Sequence, residues 1–195
     1  MSRFDADYYR RFYRRGGVHD RRQIDHLASA VHGMCCWWGV RPRTVLDIGA
    51  GVGRWRDWYR TNHPSVRVRS VDISEYACRR WGHELRDIST WRPPRPADLV
   101  VCHSVLQYLT DRAATQAIEH LAAGTRYVMY LEAPTADDLS HVVDAEVSDV
   151  DDLHGRSATW YRKRLAPHFR QAGAGLWVRR DTVHLFDLEG APNSR

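Results

Sequence analysis

At 195 residues the chain suits one domain with a substantial core and is short for two. Hydrophobic residues at 43% against 27% charged exclude wholesale disorder, and no apolar run is long enough to span a membrane. The net charge of +5 is carried almost wholly by arginine, and the cluster from Arg3 to Arg22 reads as a solvated helix face, since no base-stacking module accompanies it.

In chain order, Phe4, Tyr8, Phe12 and Tyr9, Tyr13 fall at helical spacing and predict a short amphipathic helix over 5–15. Ile24, Leu27, Val31, Met34 and Trp38 form one stripe of a second helix that starts at Asp20 and stops at Gly39 and Pro42. Apolar strands then alternate with helices: strand 44–48, helix 54–61, strand 65–72, helix 75–81, strands 84–88 and 97–104, helix 111–123, strand 125–132 and helix 158–170. Strands 176–180 and 182–188 follow, too close together for a crossover, so they are expected to pair as an antiparallel hairpin. Alternation of this kind predicts an α/β fold with a mostly parallel sheet covered on both faces. Residues 133–157, rich in Asp and Pro, read as the single long irregular stretch.

Residues 45–55, VLDIGAGVGRW, close an apolar strand on Asp47 and place Gly49, Gly51 and Gly53 at alternate positions. A glycine-rich turn between strand and helix lets backbone approach a nucleotide closely. The dinucleotide spacing G-x-G-x-x-G is not met, because the third glycine comes one residue early and Arg54 stands in its place.

The segment Asp47-x-Gly49-Ala50-Gly51-x-Gly53 resembles the first motif of class I S-adenosylmethionine-dependent methyltransferases. Asp72, which closes SVRVRSVD, Arg86-Asp87-Ile88, and ADLVVCHSVLQYL resemble that family's later motifs in the same order over roughly residues 40–190. The resemblance implies a seven-stranded Rossmann-like sheet with a C-terminal antiparallel hairpin, an N-terminal helical lid over 1–43 and a core over 44–190. It implies that Asp47 holds turn amides or the cofactor's ammonium group, that Asp72 meets the ribose, and that Ile73 also lies at the cofactor. Asp87 would meet adenine, with Ile88 also at the cofactor. Tyr8, Tyr9 or Tyr13 of the aromatic first helix would face the sulfonium or the cofactor carboxylate, a core-packing stripe being the competing reading of those tyrosines. A loop cap before Ser89 is the competing reading of Asp87.

Methyl transfer is an in-line displacement in which alignment does most of the work and a general base is optional. His103, at the exit of the fourth strand, could act as a base suited to neutral pH or contact the cofactor. Glu132, ending the fifth strand, could bind an acceptor amine. Gln107, Tyr108 and the segment 152–169, with His154, Arg156, Trp160, Tyr161 and Arg162, are further candidates for the acceptor pocket. The chain lacks the N-P-P-Y-like tetrapeptide and Pro-Cys signatures of base methyltransferases, which favours transfer to an O or N atom of a small molecule. A cofactor-binding partner without turnover, or a nucleic-acid enzyme using the basic N-terminus, are the alternatives. No metal is expected, because His32-x-x-Cys35-Cys36 lacks a fourth ligand. Four cysteines without framework spacing suit a reducing cytoplasm, and the protein is expected as a monomer or homodimer.

Overall fold

The computed structural model describes residues 3–13, 20–146 and 148–190. Helices α1 (Ala6–Phe12) and α2 (Arg21–Trp37) precede the strands β1 (Thr44–Ile48), β2 (Arg67–Asp72), β3 (Glu84–Leu85), β4 (Ala97–His103) and β5 (Thr125–Glu132). Helices α3 (Arg54–Asn62), α4 (Glu75–Trp81) and α5 (Asp111–Gly124) lie between those strands, and α6 (Ala136–His141), α7 (Ala158–Leu165), β6 (Phe169–Gly173) and β7 (Leu176–Arg179) complete the order. The sheet runs β3-β2-β1-β4-β5-β7-β6, parallel from β3 to β5 and antiparallel where β7 meets β5 and β6.

Alternation along the inner strands sends successive side chains to opposite faces. Val45, Leu99, Val101 and Val128 pack with α2 and α3, whereas Leu46, Val100, Cys102 and Met129 pack with α5 and α7. Both faces of β4 are therefore dry, which is why its sequence is a continuous apolar run. Asp20 caps α2 by accepting the Arg22 N–H at 2.7 Å, as its position before the apolar stripe predicts. The buried stripe of that helix is Ile24, Ala28, Val31 and Cys35, so α2 is a layer of the core, whereas α1 borders the cavities at the carboxyl ends of the strands.

Several boundaries differ from the sequence reading. The closing hairpin is real but lies earlier, at Phe169–Gly173 and Leu176–Arg179. The helix predicted over 158–170 ends at Leu165, because Pro167 cannot continue it. Ala174 and Gly175 then turn the chain with φ of +48° and +76°, the positive pair of a tight hairpin turn. Residues 182–188 form no strand, and of their apolar side chains only Val183 is buried. The stretch 133–157 contains α6, opened by a capping box in which Thr135 and Asp138 satisfy each other's backbone N–H. Strand 84–88 shortens to its first two residues. The end of the helix predicted over 5–15, with Arg14 and Arg15, lies outside the described residues.

Arg156 locks the exit of β4. Its guanidinium is buried and donates to the Leu106 and Leu109 carbonyls on either side of the 3₁₀ turn Leu106–Tyr108, and to Asp111 Oδ1 at 2.8 Å. Arg156→Leu removes the donor to the Leu109 carbonyl and one of the two donors to the Leu106 carbonyl, which keeps the Leu109 N–H. A loss of about 2–3 kcal/mol in urea unfolding is expected.

Candidate functional site

The strand order reverses between β1 and β4, and an open parallel sheet has its crevice at the carboxyl ends of two such strands. The glycine turn leaves β1 there. Gly49 has φ +67°, and a Cβ on it would stand 2.3 Å from Val105 Cγ2, so this residue sets how closely the turn approaches the exit of β4. Gly51 has φ +56°, and a Cβ there would meet the Tyr13 hydroxyl at 3.2 Å. Both positions need glycine for backbone conformation and for space.

Two carboxylates stand at adjacent strand ends. Asp72 Oδ2 accepts the Gly51 N–H and Oδ1 accepts the Ser74 N–H, each at 2.8 Å, which ties the turn to β2. Burial pushes its pKa up, and the same two amides oppose that shift. Asp47 is buried and its Oδ2 has no hydrogen-bond partner. Burial first, then the nearby Asp72 charge, raise its pKa to about 7 against the pull of Arg56. A buried acceptor of this kind requires a donor or a cation.

His83 and Arg56 support the turn from behind, and the sequence reading overlooked both. His83 Nε2 stands 3.0 Å from the Gly51 carbonyl, and Nδ1 lies 2.8 Å from Ser70 Oγ and 3.3 Å from the Arg56 guanidinium. Burial lowers the His83 pKa, which favours a neutral ring donating through Nε2 and accepting at Nδ1. Gly51 is thereby held at both polar groups, its N–H by Asp72 and its carbonyl by His83. Nothing local marks His83 as special, since it simply follows Gly82 at the end of α4.

Aromatic side chains roof the crevice. Tyr8 Oη is 3.2 Å from Tyr108 Oη, Phe4 packs edge-on against Tyr108 at 5.1 Å, and Tyr9 packs edge-on against Trp81 at 4.9 Å. Arg3 lies 4.9 Å above the Tyr108 ring and binds both oxygens of Asp149 at 3.0 Å, clasping the start of the chain to the loop after α6.

The cavity beneath this roof measures about 150 Å³, and its lining includes the predicted residues Tyr13, Gly49, Gly51, Asp72, Ile73, Asp87 and Ile88. Asp47, Ala50, Gly53 and His103 are not in that lining. Asp87 caps the loop, as the competing reading expects, with Oδ1 accepting the Ser89 N–H at 2.8 Å and hydroxyl at 2.7 Å, and the residue also borders the cavity. A second cavity, of about 120 Å³, shares Tyr8, Tyr13, Ser104 and Tyr108 with the first and reaches Gln107 and Glu132.

His103 does not titrate near neutrality as the sequence reading expected. Burial pulls its pKa down to about 4. The Trp55 indole donates to Nδ1 at 3.2 Å, which places the proton of the neutral ring on Nε2, 3.4 Å from Glu132 Oε2. The same Glu132 oxygen accepts the Ser104 hydroxyl at 2.6 Å, and the Ser104 N–H donates to the Glu132 carbonyl at 3.0 Å. Ser104 has φ +57°, an unusual conformation for a side-chain-bearing residue that marks the exit of β4 as a constrained junction. The segment 152–169 touches this region only at its start, where Leu153 borders the second cavity and the His154 N–H donates to the Gln107 carbonyl at 2.8 Å. Tyr161 and Arg162 border a separate opening on the far side of Glu132, Arg156 is a buried brace, and Trp160 lies between the guanidiniums of Arg156 and Arg164.

Residues 19–187 match a family described as a methyltransferase domain. A stretch of 147 residues is 31% identical to trans-aconitate 2-methyltransferase of Azoarcus sp. (strain BH72), covering 66% of this chain and 57% of that protein. The enzyme of the same name from Yersinia pestis (strain Pestoides F) is 28% identical over 118 residues, 57% of this chain and 42% of that protein. The chain thus spans about half the length of these curated relatives. Among solved structures, Streptomyces venezuelae DesVI superposes with a TM-score of 0.63 at 16% identity, covering 89% of this chain and 97% of that one. Magnesium protoporphyrin IX methyltransferase (ChlM) from Synechocystis PCC 6803 with bound SAH gives 0.56 at 18% identity, covering 89% and 93%. The chain belongs to the methyltransferase-domain family, and its fold is that of the class I S-adenosylmethionine-dependent methyltransferases.

Proposed function

We propose that the protein binds S-adenosylmethionine at the carboxyl ends of β1 and β2 and catalyses transfer of its methyl group to an O or N atom of a small molecule. The observation that carries this reading is the buried, unpartnered Asp47 Oδ2 beside a glycine turn that has no room for a side chain at Gly49 and little at Gly51. In this reading Asp47 receives the ammonium of the cofactor's amino-acid end, and Asp72 receives the ribose hydroxyls. A carboxylate has about four lone-pair sites, and two of those on Asp72 remain after Gly51 and Ser74 have been served. Asp87, Ile73 and Ile88 enclose the adenine, and Tyr13 closes over the turn. When bound, the group supplies a methyl carbon on a cationic sulfur, ready for displacement.

The protein's own contribution is alignment and the exclusion of water, and orientation of this kind can supply about 7–11 kcal/mol in favourable cases. The aromatic roof and the Arg3–Asp149 clasp serve that purpose. His103 acts as a positioning residue for Glu132, since its neutral ring is oriented by Trp55. A small-molecule acceptor agrees with the small second cavity and with the trans-aconitate methyltransferase relatives.

Isothermal titration with S-adenosylhomocysteine, followed by mass spectrometry of a metabolite extract incubated with deuteromethyl-labelled cofactor, tests the proposal. Binding of the demethylated cofactor and a labelled small-molecule product are expected. Uptake of NAD or ATP with indifference to both forms of the methyl donor would overturn it.

A further inference from the structure

The second cavity carries information about the acceptor. Its apolar walls come from Phe12, Leu139, Val143 and Leu153, and its volume of about 120 Å³ suits a group the size of one ring. Among the described lining residues, five hydroxyls both donate and accept, while the carboxylates of Glu132 and Asp149 only accept. Glu132 presents a carboxylate already oriented by Ser104 and His103. Gln107 is 4% exposed, and its Oε1 is buried without a partner. Asp149 also borders the cavity, but Arg3 neutralises it. None of the described lining residues is Arg, Lys or His, and of the two carboxylates there only Asp149 has an arginine partner among the described residues. Tyr8, Tyr13 and Tyr108 add aromatic rings to the lining, and the rings of Tyr108 and Tyr13 already attract the guanidiniums of Arg3 and Arg54.

A carboxylate placed here would meet Glu132 with no compensating cation among the described lining residues. An amine would pair with Glu132 and supply the donor that Gln107 lacks. We infer that the methyl acceptor is a primary or secondary amine on a compact apolar body, held with its nitrogen between Glu132 and Gln107; the inference rests on the cofactor reading above. The chemistry balances in two steps. The bound ammonium releases one proton through the Glu132 carboxylate to water. The freed nitrogen lone pair then forms the N–C bond to the methyl carbon as the C–S bond breaks, and that electron pair stays on sulfur as a neutral thioether. The products are the methylated ammonium, the demethylated cofactor and one proton.

Benzylamine, benzyl alcohol and benzoate share one body and differ in the head group, so they probe this directly. Each is titrated by calorimetry into protein saturated with S-adenosylhomocysteine. Benzylamine is expected to bind at least about 10-fold tighter than benzoate, the scale of one charge-assisted contact. Glu132→Gln is expected to remove most of that preference while leaving S-adenosylhomocysteine affinity unchanged, which also shows that the variant is folded. Gln107→Leu should weaken benzylamine by a smaller factor. Benzoate binding as tightly as benzylamine, no binding of any probe, or a benzylamine affinity indifferent to Glu132→Gln would overturn the inference. Failure of S-adenosylhomocysteine itself to bind would instead strike the cofactor reading, so the two failures are separable.

Discussion

Replacing Asp72 with alanine should weaken S-adenosylhomocysteine binding by about 100-fold, roughly 3 kcal/mol, the worth of one or two hydrogen bonds to a charged group. The substitution acts twice. It removes the carboxylate proposed to receive the ribose hydroxyls, and it frees the Gly51 and Ser74 amides that Oδ2 and Oδ1 hold at 2.8 Å. The turn then loses one of its two supports, with His83 still holding the Gly51 carbonyl. Stability should fall less than affinity, by about 1–2 kcal/mol, because burial already disfavours the charge being removed. Asp72→Asn should fall between wild type and Asp72→Ala, since its amide nitrogen must face one of two backbone donors. Calorimetry paired with urea unfolding separates the effects, and an affinity within about 2-fold of wild type in the alanine variant would remove the basis for placing the ribose at β2.

Asp47 should make cofactor affinity depend on pH in a defined direction. In the ligand-free protein its pKa is raised to about 7, mainly by burial and then by Asp72. The folded protein therefore holds this proton more tightly than the unfolded chain does. Its stabilising contribution is complete below the ordinary carboxyl range near pH 4 and is lost as pH rises through about 7. A bound ammonium reverses the preference by favouring the ionised carboxylate. Affinity for S-adenosylhomocysteine should consequently rise from pH 5 to about pH 7 and then level, by up to about 10-fold per pH unit, and binding at pH 6 should release a proton. Titrations at pH 6 in buffers of different ionisation enthalpy read that proton directly. Asp47→Asn should bind more weakly and lose both the slope and the proton release. The depressed pKa of His103 acts in the opposite sense on stability, favouring the fold above the ordinary histidine range and weakening it as pH falls toward about 4. The comparison with Asp47→Asn, rather than the raw stability profile, therefore isolates Asp47. A wild-type affinity that is flat from pH 5 to pH 7 would exclude an ammonium contact at this carboxylate.

The sequence alone determined the elements whose causes are local. Strand β1, the glycine turn and the acidic ends of β1 and β2 are written in consecutive residues, because a parallel strand must be apolar throughout and a close backbone approach must use glycine. Helix α2 was legible from its cap and stripe for the same reason. Its buried line nonetheless falls on Ala28 and Cys35 rather than on the larger Leu27 and Met34, since close packing on α3 favours small side chains. The closing hairpin had a local signal in Pro167 and Gly173-Ala174-Gly175, but the alternation of 182–188 competed with it. Only the presence of β5 as a pairing partner for Leu176–Arg179 decides between them.

Tertiary structure decided everything that depends on distant residues meeting. His83 reaches the Gly51 carbonyl across 32 positions, Arg156 reaches the Leu106 carbonyl across 50, and Tyr8 reaches Tyr108 across 100. No spacing rule encodes such pairs. The ionisation behaviour of His103 and Asp47 belongs to the same class, because a residue's type sets its ordinary pKa but burial among partners far along the chain sets the one it has.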